Sequence, residues 1–379
     1  MEANSEDGQR AQLISPAEVA AVCGTTPSWL LLTGAGFSAN WGAPVSLEMW
    51  SEIIGDARLA SAPSVRRALL SGEQDGFNFE TVLIEAQEGE FGQEESRIYH
   101  DIVYTAFGRI EEILHRNGVG QLSVDMTAFF EEFAPTSNEE TGFVFTLNQD
   151  LLLERQFKVG HGNVNFRRPG VEDKDLNSGF TEVKGVRYPI SFTSPVYVDT
   201  LSNAIGIDAL QMRGRTNYLK LHGSVDWIGK DSENSLIVGG GKRQRIQSFW
   251  LLNVYFELFR WALFQGDKSL MILGYGFADD HVNAILAEGV KYHDLKIHIW
   301  DVRSPKEIYG QLSGEQKEIW SGLIGYTQKP LSRYINFGKS QTPRSGDCEW
   351  FLNQVFHPYP GEQRQAVLPA LTGKNNETA

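Results

Sequence analysis

Short apolar runs alternate along the chain with longer amphipathic stretches. Five runs predict strands that are buried on both faces: SWLLLT, GFVFT, NYLKL, SLMIL and LKIHIW. Apolar residues recur at helical spacing in FETVLIEAQ, IEEILHR and the aromatic-rich SFWLLNVYFELFRWALFQG. Strands that alternate with helices predict an α/β protein, with a Rossmann-like parallel sheet and helices on both of its faces.

The pattern also predicts how the chain is organised. No convincing strand occurs between Leu47 and Phe133, where Ala, Leu, Glu and Gln predominate, so a helical insertion is expected there. The C-terminal part contains several large aromatic residues and is expected to pack against the rest or to mediate assembly. The predicted units are a flexible N-terminus (1–10), a domain in two pieces (11–46 and 141–305), the helical insertion (47–140), the C-terminal segment (306–370) and a flexible tail (371–379).

Composition excludes several classes of protein. The 379 residues carry a formal net charge of −14, which repels a phosphate backbone, so direct nucleic-acid binding is not expected. The apolar runs are too short to span a bilayer, and the acidic N-terminus does not resemble a secretion signal, so a cytoplasmic protein is predicted. The two cysteines, Cys23 and Cys348, cannot form a disulfide framework or a four-cysteine zinc site.

A glycine-rich turn follows the first strand, in LLLTGAGFSANWGAP. Gly34 and Gly36 would let backbone N–H groups approach a diphosphate at the start of a helix. The simpler alternative is a tight strand-to-helix turn that binds nothing. A dehydrogenase would need a second strand ending in an acid about 20 residues later, but the segment SLEMWSEIIGDARLA is predicted to be helical.

Three stretches together resemble the sirtuin family. GAGFSANWGAP resembles the sirtuin glycine signature, and TLNQD (Thr146 to Asp150) resembles the T-Q-N-x-D motif with Leu147 in place of glutamine. KLHGS resembles the strand end that carries the sirtuin catalytic histidine. The three occur in the family's order and span roughly residues 28–305. The resemblance implies a sirtuin-like domain that uses NAD.

The chain departs from sirtuin deacylases at several places. It cannot form their zinc ribbon, so no zinc is expected, and Val45 and Ser46 stand where those enzymes have phenylalanine and arginine. GYGFADDHVN replaces their later G-T-S-like segment. These features resemble the bacterial sirtuin-like domains of anti-phage defence, which destroy NAD. That resemblance implies a homo-oligomer and, in one subgroup, a HerA-type DNA translocase as partner.

The resemblance implies roles for individual residues. Asn148 would hold the ribose or the attacking water, and Asp150 would receive the nicotinamide carboxamide or orient nearby backbone. His222 would act as general base on a ribose hydroxyl or on water. Gly34 to Gly36 would cradle the diphosphate, Ser38 would lie near the phosphates or ribose, and Asp301 would bind the adenosine ribose. The candidate NAD-binding residues are Gly34, Ala35, Gly36, Ser38, Asn40, Pro44, Thr146, Gly223, Gly274 and Asp301.

Each role has a structural alternative. Asn148 and Asp150 are residue types that favour helix N-caps, and a helix is predicted to start at Leu151. His222, predicted at the last position of its strand, could simply form structural hydrogen bonds. The stretch Asp279 to His281 contains possible metal ligands, but acids at a helix start are the preferred interpretation, and no metal site is predicted.

The leading functional hypothesis is an NAD glycohydrolase that releases nicotinamide and ADP-ribose in phage defence. One alternative is a sirtuin-type protein deacylase or ADP-ribosyltransferase, whose turnover would depend on an acceptor. The other is a non-catalytic sensor that binds NAD or ADP-ribose and signals its occupancy to a partner.

Overall fold

The computed structural model describes residues 15–71, 78–118, 124–156, 164, 166–171, 180–183, 186–189, 196–197, 210–228, 242–336 and 346–357. The strands are β1 (Trp29–Thr33), β2 (Thr141–Thr146), β3 (Phe166–Arg167), β4 (Phe180–Val183), β5 (Val186–Pro189), β6 (Val196–Tyr197), β7 (Arg215–Lys220), β8 (Trp227–Ile228), β9 (Ser269–Leu273), β10 (Lys296–Trp300) and β11 (Leu323–Thr327). The α-helices are α1 (Pro16–Cys23), α2 (Ala35–Ser38), α3 (Ser46–Ile54), α4 (Pro63–Ser71), α5 (Phe79–Glu88), α6 (Gln93–Gly118), α7 (Val124–Glu131), α8 (Leu152–Gln156), α9 (Lys242–Ser248), α10 (Trp250–Leu263), α11 (Asp280–His293), α12 (Pro305–Gln311) and α13 (Asp347–Phe356).

Seven strands form one sheet in the order β11-β10-β9-β1-β2-β7-β3. Every neighbouring pair is parallel. The central strands are buried along their whole length, which explains why they are continuous apolar runs without alternation. The predicted Rossmann-like parallel sheet is confirmed. The strands β4 and β5 form a separate two-stranded sheet, and β6 and β8 form another.

Helices cover both faces of the sheet, because alternate residues of a strand point to opposite sides. Leu31 belongs to a core cluster with residues of α3 to α7 and α13, whereas Leu30 and Leu32 belong to a second cluster with residues of α1, α10 and α11. Trp29 meets Phe356 of α13 edge to face, with ring centroids 4.8 Å apart. The chain between β1 and β2 is helical where it is described, and its division into separate domains stays a prediction.

The edge strand β11 was not predicted. Its residues are all half-buried, and among the described strands it pairs with β10 alone. A glycine interrupts its short LIGYT run, so the sequence lacks the continuous apolar pattern of the central strands. None of the described helices combines the length and apolarity needed to cross a membrane.

The sheet brings the three motifs to one edge. Thr33 at the end of β1 pairs with Thr146 of β2, and Thr146 pairs with Lys220 of β7. The segments that follow these strands therefore lie side by side at the carboxyl edge, where open α/β sheets bind ligands. Strand β7 ends at Lys220, so the prediction that His222 is the last strand residue is wrong. His222 lies in the following turn.

Candidate active site

The glycine turn after β1 crosses the turn after β9 at close range. The Gly36 amide donates to the Gly274 carbonyl at 2.9 Å. A Cβ on Gly36 would lie 2.8 Å from Gly274 Cα, and a Cβ on Gly274, where φ is +62°, would lie 2.6 Å from Gly36 C. The crossing alone requires both glycines. The Gly34 amide also has a carbonyl partner, Leu273 O at 3.0 Å. A diphosphate contact at Gly34 to Gly36 stays a prediction.

A buried hydrogen-bonded cluster joins three of the predicted site residues. Asn148 Nδ2 donates to Ser38 Oγ at 2.9 Å and to the Gly34 carbonyl at 3.0 Å. Ser38 Oγ donates to Asp150 Oδ2 at 2.7 Å. Ser38 lies more than 100 positions from Asn148 and Asp150 in the sequence, and the adjacent ends of β1 and β2 bring it to them.

The neighbours of Asn148 determine which way its amide points. The Gly34 carbonyl only accepts, so Nδ2 must face it, and Ser38 Oγ accepts the second amide hydrogen because its own hydrogen goes to Asp150. Both amide hydrogens are therefore engaged. Asn148 would contact a ligand through Oδ1, as a hydrogen-bond acceptor.

Asp150 also caps a helix, which is the structural alternative to a role in ligand binding. Its Oδ1 accepts from the Leu152 amide at 3.0 Å, so it caps α8, which starts one residue later than expected. The backbone N–H of Asn148 donates to Thr146 Oγ1 at 3.0 Å. Thr146 Oγ1 accepts a second hydrogen bond from Thr33 at 2.8 Å, which ties β1 to β2 at the site.

A cavity of about 110 Å³ lies beside this cluster. Its size approaches the ~150 Å³ of an engineered cavity that binds benzene, so it has room for about one aromatic ring. Asn148, Asp150 and Ser38 form a polar wall, and the predicted residues Ala35 and Pro44 also line it. The sequence analysis missed the lining residues that come from α3, α5 and α6, namely Ser46, Met49, Phe79, Glu80, Phe107 and Ile110.

His222 is absent from the described residues that line this cavity. Its side chain is 3% exposed, and its Nε2 lies 3.0 Å from Nε2 of His281. The chain turns at Gly223, where φ is +76°. The Val225 amide then donates to the Gln149 carbonyl at 3.0 Å, and both of these residues line the cavity. The structure therefore places the predicted base three residues before the lining residue Val225, and His222 itself does not line the cavity.

A row of three charged side chains, those of Glu80, Lys242 and Asp279, leads to the histidine pair. Lys242 Nζ lies 2.7 Å from Asp279 Oδ1 and 2.8 Å from Glu80 Oε2, and Asp279 Oδ1 lies 4.0 Å from His222 Nε2. Burial lowers the pKa of His222 to about 3. The negative charge of Asp279 raises this pKa in part, and the positive charge of Lys242 lowers it further. His222 is therefore neutral at pH 7, and in this structure it is a weak proton acceptor.

We expect the buried His222 to make folding sensitive to acid. The unfolded chain binds a proton at His222 below about pH 6.5, whereas the folded protein does not until about pH 3. The contribution of the neutral His222 to stability is therefore full above pH 6.5 and is lost between these values, by up to about 5 kcal/mol. Urea unfolding at pH 7.5, 6, 5 and 4 should show this loss, and His222→Gln should show a shallower slope. Equal slopes for the two proteins would contradict the expectation.

Within the described part of the chain, His222, Asp279 and His281 place possible metal-ligand atoms within 4.8 Å of one another. The Lys242 ammonium already holds Asp279 Oδ1, and its charge opposes a second cation there. We interpret the trio as a hydrogen-bonded polar cluster, and the expected absence of a metal stays a prediction. Asp279 is the N-cap of α11, but its carboxylate pairs with Lys242 and makes no capping bond.

Two further candidate residues have protein partners. Asp301 follows β10, and its carboxylate accepts from Arg303 Nη2 at 2.7 Å and Nε at 2.9 Å. A ribose bound at Asp301 would share the carboxylate with Arg303. Asn40 Nδ2 donates to the carbonyls of Gly36 and Phe37, which closes the turn around α2. The NAD-binding roles of Asp301 and Asn40 stay predictions.

Another cluster, which the sequence analysis did not identify, is a buried ion network at the start of α8. Lys220 Nζ donates to the Asp150 carbonyl and to Glu154 Oε1, the latter at 2.7 Å. Arg168 Nη1 lies 3.1 Å from Asp226 and 3.9 Å from Glu154. The sequence signal that could have predicted this network was Lys220, a charged residue inside the apolar run NYLKL. Because Lys220 bonds the Asp150 backbone, the network fixes the segment that carries Asn148 and Asp150.

The parallel sheet defines an α/β protein of the Rossmann-like class, and its polar cluster and cavity lie at the carboxyl edge, where such sheets bind ligands. Residues 142–306 match the family model of the SIR2-like domain. The match runs from β2 into the start of α12, and β1 with its glycine turn pairs directly with two strands of the matched region. Residues 142–306 are thus similar to a SIR2-like domain, a class associated with NAD. No curated protein matches the chain.

Proposed function

We propose that this protein is an NAD glycohydrolase that cleaves the bond between nicotinamide and ribose. The observation that carries the proposal is the Asn148–Ser38–Asp150 cluster, which forms the polar wall of a ring-sized cavity in a SIR2-like domain. The remaining walls include Phe79 and Phe107, which suit the flat faces of an aromatic ring.

In the proposed reaction, water attacks the ribose carbon while the bond to nicotinamide breaks. Nicotinamide leaves as a neutral molecule because the bonding electron pair neutralises its positively charged ring. The products are nicotinamide, ADP-ribose and one proton. Since the leaving group needs no protonation, the protein mainly has to position the reactants and accept the proton of water.

The residues of the cluster and the nearby His222 have separate roles in the proposed reaction. Asn148 Oδ1 accepts a hydrogen bond from the attacking water or a ribose hydroxyl, because its amide hydrogens are already engaged. Asp150 orients Ser38 and the start of α8, and its position on the cavity wall suits contact with the carboxamide. His222 accepts the proton of water. With its low pKa, it requires a change in its surroundings before it becomes an effective base.

This requirement also supports a second candidate, a sensor that binds NAD or ADP-ribose without cleaving it. A buried, neutral His222 is compatible with a purely structural role beside a binding cavity. Both a hydrolase and a sensor would bind NAD, but only the hydrolase would cleave it, so one experiment separates the two functions.

The test is nicotinamide and ADP-ribose production from NAD, followed by liquid chromatography. The protein is assayed alone, with an acetyl-lysine peptide and with the protein encoded beside it. We expect equal amounts of both products without any peptide, in at least one assembly state. Production that requires the peptide would favour a deacylase. Calorimetric binding of NAD without products in every state would favour the sensor.

The biological setting is also part of the proposal. We propose that the protein depletes NAD as an effector of anti-phage defence, that it forms a homo-oligomer and that its partner is a HerA-type translocase. The support is the resemblance of its motifs to that group of bacterial proteins, together with a cysteine count of two, which is too few for a zinc ribbon. Cellular NAD after phage infection should fall in bacteria that carry the wild-type protein, and it should persist with an Asn148→Asp variant.

A further inference from the structure

The contact between His222 and His281 constrains the protons of both rings. Their Nε2 atoms lie 3.0 Å apart, which is a hydrogen bond in which one ring must donate and the other accept. A neutral imidazole carries a single N–H. If His222 Nε2 donates to His281, its Nδ1 is left as the proton acceptor.

His281 lies closer to solvent than its partner. It is the second residue of α11 and is partly exposed, whereas His222 is buried. Its ring also packs against Phe256 of α10, with centroids 5.4 Å apart, so its orientation is held from a second side. A proton that reaches His281 is therefore nearer to water than one that remains on His222.

The charged groups around the pair come from several elements. Burial disfavours a positive charge on His281, Lys242 and Arg243 of α9 add to this effect, and Asp279 and Asp280 at the start of α11 oppose it. Glu80 of α5 holds Lys242 from the cavity side. Acids and bases thus face the pair in nearly equal number. This balance suits a site that holds a proton only briefly.

We propose that His281 is a positioning residue for the hydrolysis, which holds His222 with Nδ1 as the base and takes the proton from Nε2. The inference rests on the proposed NAD hydrolysis. As water attacks, its proton goes to His222 Nδ1 while the Nε2 proton of His222 passes to His281 Nε2. His281 then carries one positive charge, which Asp279 and Asp280 stabilise, and releases a proton to solvent from its other nitrogen. Both rings are then in the opposite tautomer, and they regain the starting tautomers by exchanging N–H protons with solvent before the next turnover.

The first test compares His281→Gln with wild type in the nicotinamide assay. Glutamine can accept the hydrogen bond from His222 but cannot carry the proton onward. We expect kcat to fall about 10- to 100-fold, with KM changed less than about threefold. The acid limb of kcat should move to higher pH, because a protonated His281 no longer lowers the pKa of His222. Added imidazole should restore part of the activity of His281→Ala.

His293→Gln is the matched control, since His293 lies on the same helix and stacks on Phe264 away from the pair. It should keep wild-type kinetics. Wild-type kcat and pH profile in His281→Gln, or loss of activity in a folded His281→Ala without imidazole rescue, would overturn the proposal. So would activity that chelators abolish and zinc restores, since that would make the pair a metal site.

A second measurement does not depend on turnover. Nitrogen NMR of histidine-labelled protein should show His222 protonated on Nε2 and unprotonated on Nδ1, with the His222 signals assigned through His222→Gln. The opposite tautomer would overturn the proposal even in an active enzyme. A wild type that cleaves no NAD in any assembly state would instead refute the hydrolase itself, so the two failures are distinguishable.

Discussion

Replacing Asn148 with aspartate is expected to lower nicotinamide release from NAD by about 100- to 1000-fold, the range seen when a positioned polar group at a reaction centre is lost. Aspartate has nearly the same shape as asparagine but donates no hydrogen bond. A carboxylate oxygen would then face the Gly34 carbonyl across about 3.0 Å, where Nδ2 now donates. Its charge would also lie beside Asp150, which shares Ser38 with Asn148.

The measurement is the initial rate of nicotinamide release, with the melting temperature as a check on folding. Asn353→Asp on the exposed side of α13 is the matched control for the same chemical change, and it should leave the rate unaltered. Asn148→Ala, which removes the donors without adding a charge, should also be impaired. A folded Asn148→Asp protein with wild-type activity would exclude Asn148 from the reaction.

Replacing Lys220 with methionine is expected to cost about 3–5 kcal/mol of unfolding free energy. The Lys220 side chain is fully buried and holds both Glu154 Oε1 and the Asp150 carbonyl. Burial already raises the pKa of Glu154, and Lys220 is the nearest charge that offsets this effect. Without it, Glu154 must take up a proton or remain as a poorly compensated buried charge. Arg168, 3.9 Å away, can compensate only in part.

Urea unfolding at pH 7 measures this loss. Arg109→Met removes an exposed ion pair with Glu52 and should cost at most about 1 kcal/mol, which sets the scale for a surface charge. The double variant Lys220→Met with Glu154→Gln should be more stable than Lys220→Met alone, because the unpaired charge is gone. If Lys220→Met is as stable as wild type, the network does not support the segment that carries Asn148.

The sequence by itself determined the fold class and the edge of the sheet at which the site lies. Apolar runs without alternation specify strands buried on both faces, and parallel strands align their carboxyl ends. Motifs that follow β1, β2 and β7 must therefore converge. The structure brings Ser38, Asn148 and Asp150 together in this way, since each lies within a few residues of a strand end.

Only the tertiary structure decided what surrounds these residues. Phe79, Glu80 and Phe107 reach the cavity through the packing of helices on the sheet, and the pattern of a helix tells which face is buried but not what that face meets. His222 and His281, 59 positions apart, meet because the turn after β7 approaches the start of α11. Lys220 can be buried with its charge because Glu154 lies beside it, and the sequence does not show this contact. Periodicity records burial along a single element, whereas contacts between elements depend on how all of them pack together.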